Sequence, residues 1–168
     1  MLQGNWCHVG AVIGRGGNAS VRRLSSPFWL KAVVKTGVQG QLRREGNMMG
    51  CVHHPAVARV FALLREHKSE PNNKKKGYLV MEKLGASLLV ALDQLTGRMP
   101  LLEALSICWQ LASALDWVHR MKLVHHDLHP GNLLKTLDKK GYRLSDFGSA
   151  AWMFLPDGTT PTCLRQSQ

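Results

Sequence analysis

The first third of the chain alternates short apolar runs with turn-forming residues. The runs extend over His8 to Ile13, Ser20 to Leu24 and Trp29 to Val34, and segments rich in glycine, serine and proline lie between them. Runs of this length bounded by turn residues are typical of β-strands. The pattern therefore predicts a meander of three strands.

The next part is predicted to contain one helix and two further strands. Residues of high helix propensity extend over Gln41 to Cys51, but Gly46 and Gly50 interrupt them, so the predicted helix is short and weak. Strands are predicted at Val57 to Leu64 and at Tyr78 to Met81, because apolar residues there lie on either side of a polar loop.

The segment from Pro100 to Met121 has the periodicity of a helix, and proline suits a first helical turn. Apolar residues recur at spacings of three and four, at Leu101, Leu105, Cys108, Leu111 or Ala112, Leu115 and Val118. Leu102, Trp109 and Trp117 form a second apolar set beside this stripe. The width of the combined stripe predicts a helix that is buried on most sides.

A β-hairpin is predicted after this helix. Leu133 to Leu137 and Tyr142 to Ser145 are largely apolar, and the residues between them, Asp138 to Gly141, favour a turn. Residues with polar and charged side chains lie just before and just after this hairpin, so its ends are candidates for a functional site.

The composition is that of one globular domain. With 168 residues, of which 45% are hydrophobic, the chain is predicted to form a single domain over residues 1–168. Its 22 Lys and Arg residues against 11 Asp and Glu residues give a formal charge of +11, which attracts nucleotides, nucleic acids, acidic membranes and acidic proteins alike. The one dense lysine run, Lys74 to Lys76, has no interleaved aromatic residues for base stacking, so no nucleic-acid partner is expected.

The cysteines and the apolar segments bear on where the protein resides. Cys7, Cys51, Cys108 and Cys163 are far apart and form no C-x-x-C pair, so we expect reduced thiols and no zinc site. The N-terminal residues lack the pattern of a secretion signal, and no run of about 20 uncharged apolar residues is present. We therefore expect a soluble, cytoplasmic protein without membrane contact.

Two features in the first half of the chain have the chemistry to bind a nucleotide. Glycines recur between Ile13 and Val21 at a predicted strand turn, where missing side chains let backbone amides approach phosphate oxygens. A later strand ends in Lys35, and such a lysine can reach nucleotide phosphates. Glu45 is the only carboxylate between Lys35 and Glu66, so it is the candidate partner of that lysine. Taken alone, these features are equally typical of an ordinary turn and an exposed lysine.

The strongest pattern lies around the predicted hairpin. Val124 to Leu134 reads Val-His-His-Asp-Leu-His-Pro-Gly-Asn-Leu-Leu, and Leu-Ser-Asp-Phe-Gly follows and ends at Gly148. Phosphoryl transfer requires an acceptor for the proton of the incoming hydroxyl group, and it requires oxygen ligands for magnesium. Asp127, Asn132 and Asp146 have the side chains for these roles.

With these motifs in this order, the chain resembles the protein kinase superfamily over roughly Val9 to Ala150. The resemblance implies an α+β, two-lobed fold. Residues 1–82 would form an antiparallel-sheet small lobe with a regulatory helix, and residues 83–168 would form a reduced, mainly helical large lobe. It also implies transfer of a phosphoryl group from ATP, assisted by Mg²⁺, to a serine or threonine hydroxyl of a protein substrate.

The resemblance also implies roles for individual residues. The catalytic positions would be Asp127, His129, Lys35 and Glu45, and the magnesium ligands would be Asn132 and Asp146. The positions that would contact ATP are Ile13, Gly14, Gly16, Gly17, Val21, Val33, Lys35, Met81, Glu82, Leu84 and Leu134. Among these, Met81 would be the gatekeeper, and backbone groups of Glu82 and Leu84 would form hydrogen bonds with adenine.

Two motifs resemble particular branches of this superfamily. Val80 to Leu88 is similar to the hinge of casein-kinase-I-like enzymes. Asp127 to Asn132 resembles the corresponding string of aminoglycoside and other small-molecule phosphotransferases, which implies a small-molecule substrate as the alternative. In this string His129 replaces the lysine that helps to neutralise the transferring phosphoryl group in serine/threonine kinases, and histidine supplies less positive charge.

Few residues follow Gly148, and no pattern of later large-lobe helices is present. The resemblance then implies either a naturally minimal kinase, similar to some bacterial effector kinases that act in a host cytosol, or a piece of a longer kinase. In the second case the Pro100 to Met121 helix would expose apolar surface that favours a protein partner. The chain would then be a non-catalytic interaction module.

Overall fold

The computed structural model describes residues 8–15, 19–27, 31–65 and 76–153, which form two compact units. The first unit contains the described residues of Met1–Gly46 and Arg59–Lys83, and the second contains those of Asn47–Ala58 and Leu84–Gln168. Asn47–Ala58 precedes the boundary expected at residue 82 but clusters with the second unit. Backbone hydrogen bonds explain this, because Ala56 O accepts from Leu144 N at 2.8 Å and Ala58 N donates to Leu144 O at 2.8 Å.

The first unit contains a five-stranded antiparallel sheet in the order β1-β2-β3-β5-β4. Its strands are β1 His8–Arg15, β2 Ala19–Ser25, β3 Ala32–Val38, β4 Val60–Arg65 and β5 Lys76–Glu82. All five were predicted, although β3 and β4 begin at Ala32 and Val60, three residues later than the sequence pattern indicates. In the case of β4 the reason is that Val57 forms a bridge with Leu144 instead of continuing a strand.

One face of this sheet carries a hydrophobic core, formed by Leu24, Ala32, Val34 and Val80. The strand register places Val34 opposite Val80, so apolar side chains of adjacent strands meet on this face. Successive residues of a strand point to opposite faces, and Lys35 therefore lies on the other face. The alternation of apolar and polar residues in β3 thus separates the core from a face that can carry a charged residue.

Helix α1 extends over Gln39–Cys51, immediately after β3, and confirms the predicted helix. Gly46, which weakens the helix in isolation, has a packing role. A Cβ atom at this position would lie 2.8 Å from Cδ1 of Leu79 and 3.7 Å from Cδ1 of Leu63. Gly50 differs, because a Cβ atom there would have no neighbour within 4 Å.

The second unit is built from two helices, two pairs of short strands and one 3-10 turn. The elements are α2 Leu88–Asp93, α3 Leu101–Arg120, β6 Leu123–Val124, the 3-10 turn Pro130–Asn132, β7 Leu133–Lys135, β8 Tyr142–Leu144 and β9 Ala151–Trp152. The predicted hairpin is confirmed as the antiparallel pair β7–β8. The sequence pattern did not predict α2, β6 or β9, whose short apolar runs are ambiguous between strand and helix.

Helix α3, with Pro100 at its N-cap, confirms the predicted helix. The prediction that this helix is buried on most sides is wrong. Leu101, Leu102 and Trp109 are 72%, 81% and 75% exposed. The helix buries only the narrow line Ile107, Ala114 and Val118, because β6 and β8 pack along one side of it. Its length and a mean hydropathy of 1.2 would also suffice for a membrane-spanning helix.

The cysteines differ from the sequence-based expectation. Cys51, the last residue of α1, is disulfide-bonded, whereas Cys108 on α3 is an exposed free thiol. The expectation of four reduced thiols was therefore wrong. Spacing along the chain did not indicate this bond, because a disulfide depends on the distance between two cysteines in the folded chain.

Gly46 and Gly50 of α1 provide a matched test of packing. We expect Gly50→Ala to raise the free energy of unfolding by up to about 1 kcal/mol, because alanine is the better helix former and the site is open. Gly46→Ala gains the same propensity but must displace the buried Leu79, and overpacking of this kind costs about 1–3 kcal/mol. Urea unfolding of both variants should therefore rank Gly50→Ala above Gly46→Ala. Equal stability would contradict the close approach at Gly46.

Candidate active site

An ion pair in the first unit joins Lys35 and Glu45. The Nζ atom of Lys35 lies 2.8 Å from Oε1 of Glu45, and the two side chains are only 12% and 4% exposed. The pair forms despite the short interval between the two residues because α1 begins at Gln39, directly after β3 ends at Val38. A buried carboxylate is costly unless it is paired, so Glu45 fixes the position of the Lys35 ammonium group.

Four of the predicted nucleotide contacts share one face of the sheet. Val21 lies opposite Lys35, and Val33 lies opposite Met81. Val33 and Lys35 are two residues apart, so their side chains point to the same side, away from the core residues of the opposite face. The structure therefore brings an apolar surface and a paired lysine together, which are the features needed for a base and its phosphates.

The remaining predicted nucleotide contacts have different positions. Ile13 and Gly14 lie near the end of β1, and Gly14 pairs with Val21. The backbone N–H of Glu82 donates to Arg59 O at 2.8 Å, so this N–H is not available to a nucleotide. Leu84 and Leu134 belong to the second unit. Gly16 and Gly17 lie outside the described residues.

In the second unit, the side-chain amide of Asn132 binds Asp127. Its Nδ2 atom donates to the backbone O of Asp127 at 2.8 Å and to the carboxylate Oδ2 at 3.1 Å. Asn132 is buried at 8% exposure, whereas the Asp127 side chain is about half exposed. The amide nitrogen is occupied by these two bonds, which leaves the amide oxygen as the atom of this side chain that can bind a cation.

Backbone bonds place Asp146 beside Asn132. The N–H and the Oγ–H of Ser145 donate to the backbone O of Asn132 at 2.8 Å and 3.1 Å. Asp146 follows Ser145 directly and has a φ of 60°. This left-handed conformation is uncommon for residues other than glycine, although aspartate tolerates it better than most. Here Gly148 N donates to Asp146 Oδ1 at 3.2 Å, which holds the carboxylate against its own turn.

The hairpin that carries these residues is hydrogen-bonded along both outer edges. The bonds are Gly85 N to Lys135 O at 2.7 Å, Lys135 N to Ala86 O at 2.9 Å, Leu144 N to Ala56 O at 2.8 Å and Ala58 N to Leu144 O at 2.8 Å. Gln110 of α3 adds a bond, since its Oε1 accepts from Tyr142 N at 2.7 Å. Two strands of three residues each would be marginal alone, and these neighbours fix them in place.

His125 is a site residue that sequence reasoning missed. Its Nε2 donates to Ser145 O at 3.0 Å, and its Nδ1 accepts from Asp127 N at 3.3 Å. Its ring also meets Phe147 edge to face at a centroid distance of 4.8 Å. The neutral imidazole therefore joins the segments that carry Asp127 and Asp146. The only signal in the sequence was its place two residues before Asp127.

The residues present fit a magnesium ion. Asn132 and Asp146 offer an amide oxygen and a carboxylate, and magnesium prefers such oxygen ligands. Among the described residues, no group of three or more His, Cys, Asp or Glu residues could hold a metal. Magnesium is commonly held by one or two protein ligands together with substrate phosphates.

His129 lies next to these residues. Its Nδ1 accepts from Gly131 N at 3.1 Å, and its Nε2 lies 3.9 Å from Asp127 Oδ2. The structure thus brings together Asp127, His129, Asn132 and Asp146 within the second unit, and Lys35 with Glu45 within the first.

Comparison with known proteins is consistent with this arrangement. Residues 7–163 match the family described as Protein kinase domain. The chain is 30% identical over 118 residues to a carbon catabolite-derepressing protein kinase of Candida tropicalis. These residues are 70% of this chain and 18% of that kinase. It is 32% identical over 120 residues to CBL-interacting serine/threonine-protein kinase 8 of Arabidopsis thaliana. These residues are 71% of this chain and 25% of that kinase. It is 33% identical to CBL-interacting protein kinase 12 of Oryza sativa subsp. japonica, over 92% of this chain and 29% of that kinase. The chain therefore spans less than a third of the length of these relatives.

Burial of His125 predicts a dependence of stability on pH. Desolvation lowers the pKa of His125 below its ordinary value, although the hydrogen bond to Ser145 acts in the opposite direction. Below about pH 6.5 the unfolded chain binds a proton at this residue that the native chain does not bind, so stability falls as the pH decreases from there to the native pKa. Above that range both states are neutral and the contribution is constant.

We expect His125→Asn to unfold at lower urea concentration at every pH but to lose less stability between pH 7 and pH 5.5 than the wild type. His119→Asn, the same substitution at an exposed residue of α3, is the matched control. Identical pH slopes for the wild type and His125→Asn would contradict a neutral, buried His125.

Proposed function

Because this chain belongs to the protein kinase family, we propose that it transfers the terminal phosphoryl group of ATP to serine or threonine hydroxyls of proteins. The observation that carries this proposal is the orientation of Asn132. Its amide nitrogen donates to the backbone oxygen and to the carboxylate of Asp127, so it fixes the candidate proton acceptor, and its own amide oxygen would then be the atom that holds a cation. The similarity to relatives such as the Arabidopsis thaliana serine/threonine-protein kinase supports serine and threonine as the acceptors.

The residues of the second unit would divide the work between them. Asp127 would orient the incoming hydroxyl group and accept its proton, because its carboxylate is held by Asn132 yet remains half exposed. Asn132 and Asp146 would hold Mg²⁺, since both lie at the open end of one hairpin, next to the pair Leu133 and Leu144. When bound, magnesium neutralises charge on the phosphate oxygens.

The residues of the first unit would bind the nucleotide. Lys35 would hold the phosphates, because Glu45 fixes its ammonium group. Val21, Val33 and Met81 would contact the adenine side of ATP, since they share the face of the sheet that carries Lys35. Ile13 and Gly14 would lie above the nucleotide, and Leu84 and Leu134 would contribute further apolar contacts, as the kinase resemblance implies.

A small-molecule substrate is the second candidate function. The observation that favours it is the string Asp127 to Asn132, with His129 in place of lysine. A third candidate is a non-catalytic interaction module, favoured by the exposed apolar side chains of α3. We place the protein in the cytoplasm, with a protein partner on α3 and neither nucleic acid nor membrane as a partner.

The proposal is tested by phosphate transfer from radiolabelled ATP to a mixed protein substrate with Mg²⁺. We expect Asp127→Asn to lower the rate by about 100-fold or more, which is the usual contribution of a positioned proton acceptor. Asp146→Ala should lose activity at ordinary Mg²⁺ concentrations, because one of two oxygen ligands is removed. Asp127→Asn should fold, since Asp127 lies in a loop segment. Asp146→Ala is expected to be less stable because alanine tolerates a φ of 60° less well, so circular dichroism must show that it is folded.

Asp116→Asn is the control for these variants. Asp116 is an exposed carboxylate of α3 that pairs with Arg120, and its replacement should leave the rate unchanged. Protein phosphorylation that persists in Asp127→Asn would contradict the assignment. Transfer to aminoglycosides or metabolites without transfer to protein would favour the second candidate, and a folded chain with no turnover would favour the third.

A further inference from the structure

The side chain of His129 closes the turn that leads to Asn132. His129 is the N-cap of the 3-10 turn Pro130–Asn132, and its backbone is extended, with φ −154° and ψ 164°. Pro130 favours this conformation, because the residue before a proline is pushed out of the helical region. From this position the Nδ1 atom accepts from Gly131 N at 3.1 Å, and the backbone O accepts from Asn132 N at 3.0 Å. One residue thus satisfies two N–H groups of the turn, as capping residues do.

The imidazole of His129 fills the space where a side chain on residue 131 would begin. A Cβ atom on Gly131 would lie 2.6 Å from Cε1 and 2.8 Å from Nδ1 of His129. The three atoms nearest to that position all belong to His129. The φ of Gly131 is not in the positive region that glycine alone prefers. The requirement for glycine therefore comes from the ring of His129 and not from the backbone.

The cap also fixes the tautomer of His129. Since Nδ1 accepts a hydrogen bond from a backbone N–H, it carries no proton, and in the neutral ring the hydrogen is on Nε2. That Nε2–H lies 3.9 Å from Oδ2 of Asp127, the same oxygen that accepts from Asn132 Nδ2 at 3.1 Å. A neutral ring can therefore both accept from Gly131 N and place Nε2 beside Oδ2 of Asp127.

We propose that His129 is a positioning residue that caps the Pro130–Asn132 turn and thereby holds Asn132 in place for Asp127 and Mg²⁺. This role differs from neutralisation of the transferring phosphoryl group, which the kinase resemblance implies for the corresponding lysine. The cap itself is a property of the folded chain. Its consequence for magnesium rests on the proposed function.

A double-mutant cycle on stability tests the cap without any assay of activity. We expect Gly131→Ala to lower the urea midpoint in the wild-type background, because the new methyl group displaces the imidazole. In a His129→Ala background the three atoms nearest to that methyl group are absent, so Gly131→Ala should then cost much less stability. An equal loss in both backgrounds would overturn the proposal.

Two replacements of His129 separate a cap from a charge. Asparagine is neutral and has a side-chain oxygen that can accept from Gly131 N, whereas lysine has a charge but no acceptor. We expect His129→Asn to retain the wild-type rise in melting temperature on addition of Mg-ATP. The Mg²⁺ concentration that gives the half-maximal rate should stay within about threefold of the wild-type value. His129→Lys should lose much of that thermal shift and require several-fold more Mg²⁺.

The reverse ranking, with lysine active and asparagine impaired, would overturn the proposal in favour of a charge on the phosphoryl group. The stability cycle also separates this inference from the proposed function. If no variant, including the wild type, transfers phosphate, the proposed function fails, and the cycle still decides whether His129 caps the turn.

Discussion

The bond between Ser145 N and Asn132 O, 2.8 Å long, is the link on which the candidate site of the second unit depends. It joins the residue before β7 to the residue after β8, so the hairpin closes at its open end. Asn132 and Asp146 are brought together by this closure, although 13 residues separate them in the chain. The side-chain hydroxyl of Ser145 reinforces it with a second bond to the same oxygen.

Around this link the second unit uses neutral hydrogen bonds to hold charged groups. His125 connects Asp127 N to Ser145 O, Asn132 holds the Asp127 carboxylate, and Gly148 N holds that of Asp146. Buried charge is expensive, and this arrangement buries neutral groups while the carboxylate of Asp127 stays half exposed. The first unit follows another rule, because there the buried Glu45 is directly paired with Lys35.

Local patterns predicted most of the regular structure. The five strands of the first unit, α1, α3 and the hairpin β7–β8 follow from apolar runs and periodicity, because side-chain spacing reports the local backbone conformation. The short elements α2, β6 and β9 were not predicted, since two to six residues carry too little periodicity. Gly46 was read as a weakness of α1, whereas the fold requires a small residue there beside Leu79.

The prediction of a buried α3 failed for a related reason. The apolar width of this helix was visible in the sequence, but the extent of its burial depends on which elements pack against it. Among the described elements, β6 and β8 pack closely against α3. They cover the line of Ile107, Ala114 and Val118. Leu102 and Trp109 remain exposed. The disulfide bond of Cys51 was missed for a similar reason, because two cysteines form a bond only when the folded chain brings them close together.

The sequence by itself predicted Asp127, Asn132 and Asp146 as the residues of the candidate site, because their side chains suit a proton acceptor and oxygen ligands for magnesium. It also determined that Lys35 lies on the face of β3 opposite the core, since residues alternate along a strand. Only the tertiary structure decided that Asn132 binds Asp127, that His125 spans two loops and that the ring of His129 lies over Gly131. These are contacts whose geometry depends on backbone turns and on the packing of distant segments, which no local pattern encodes.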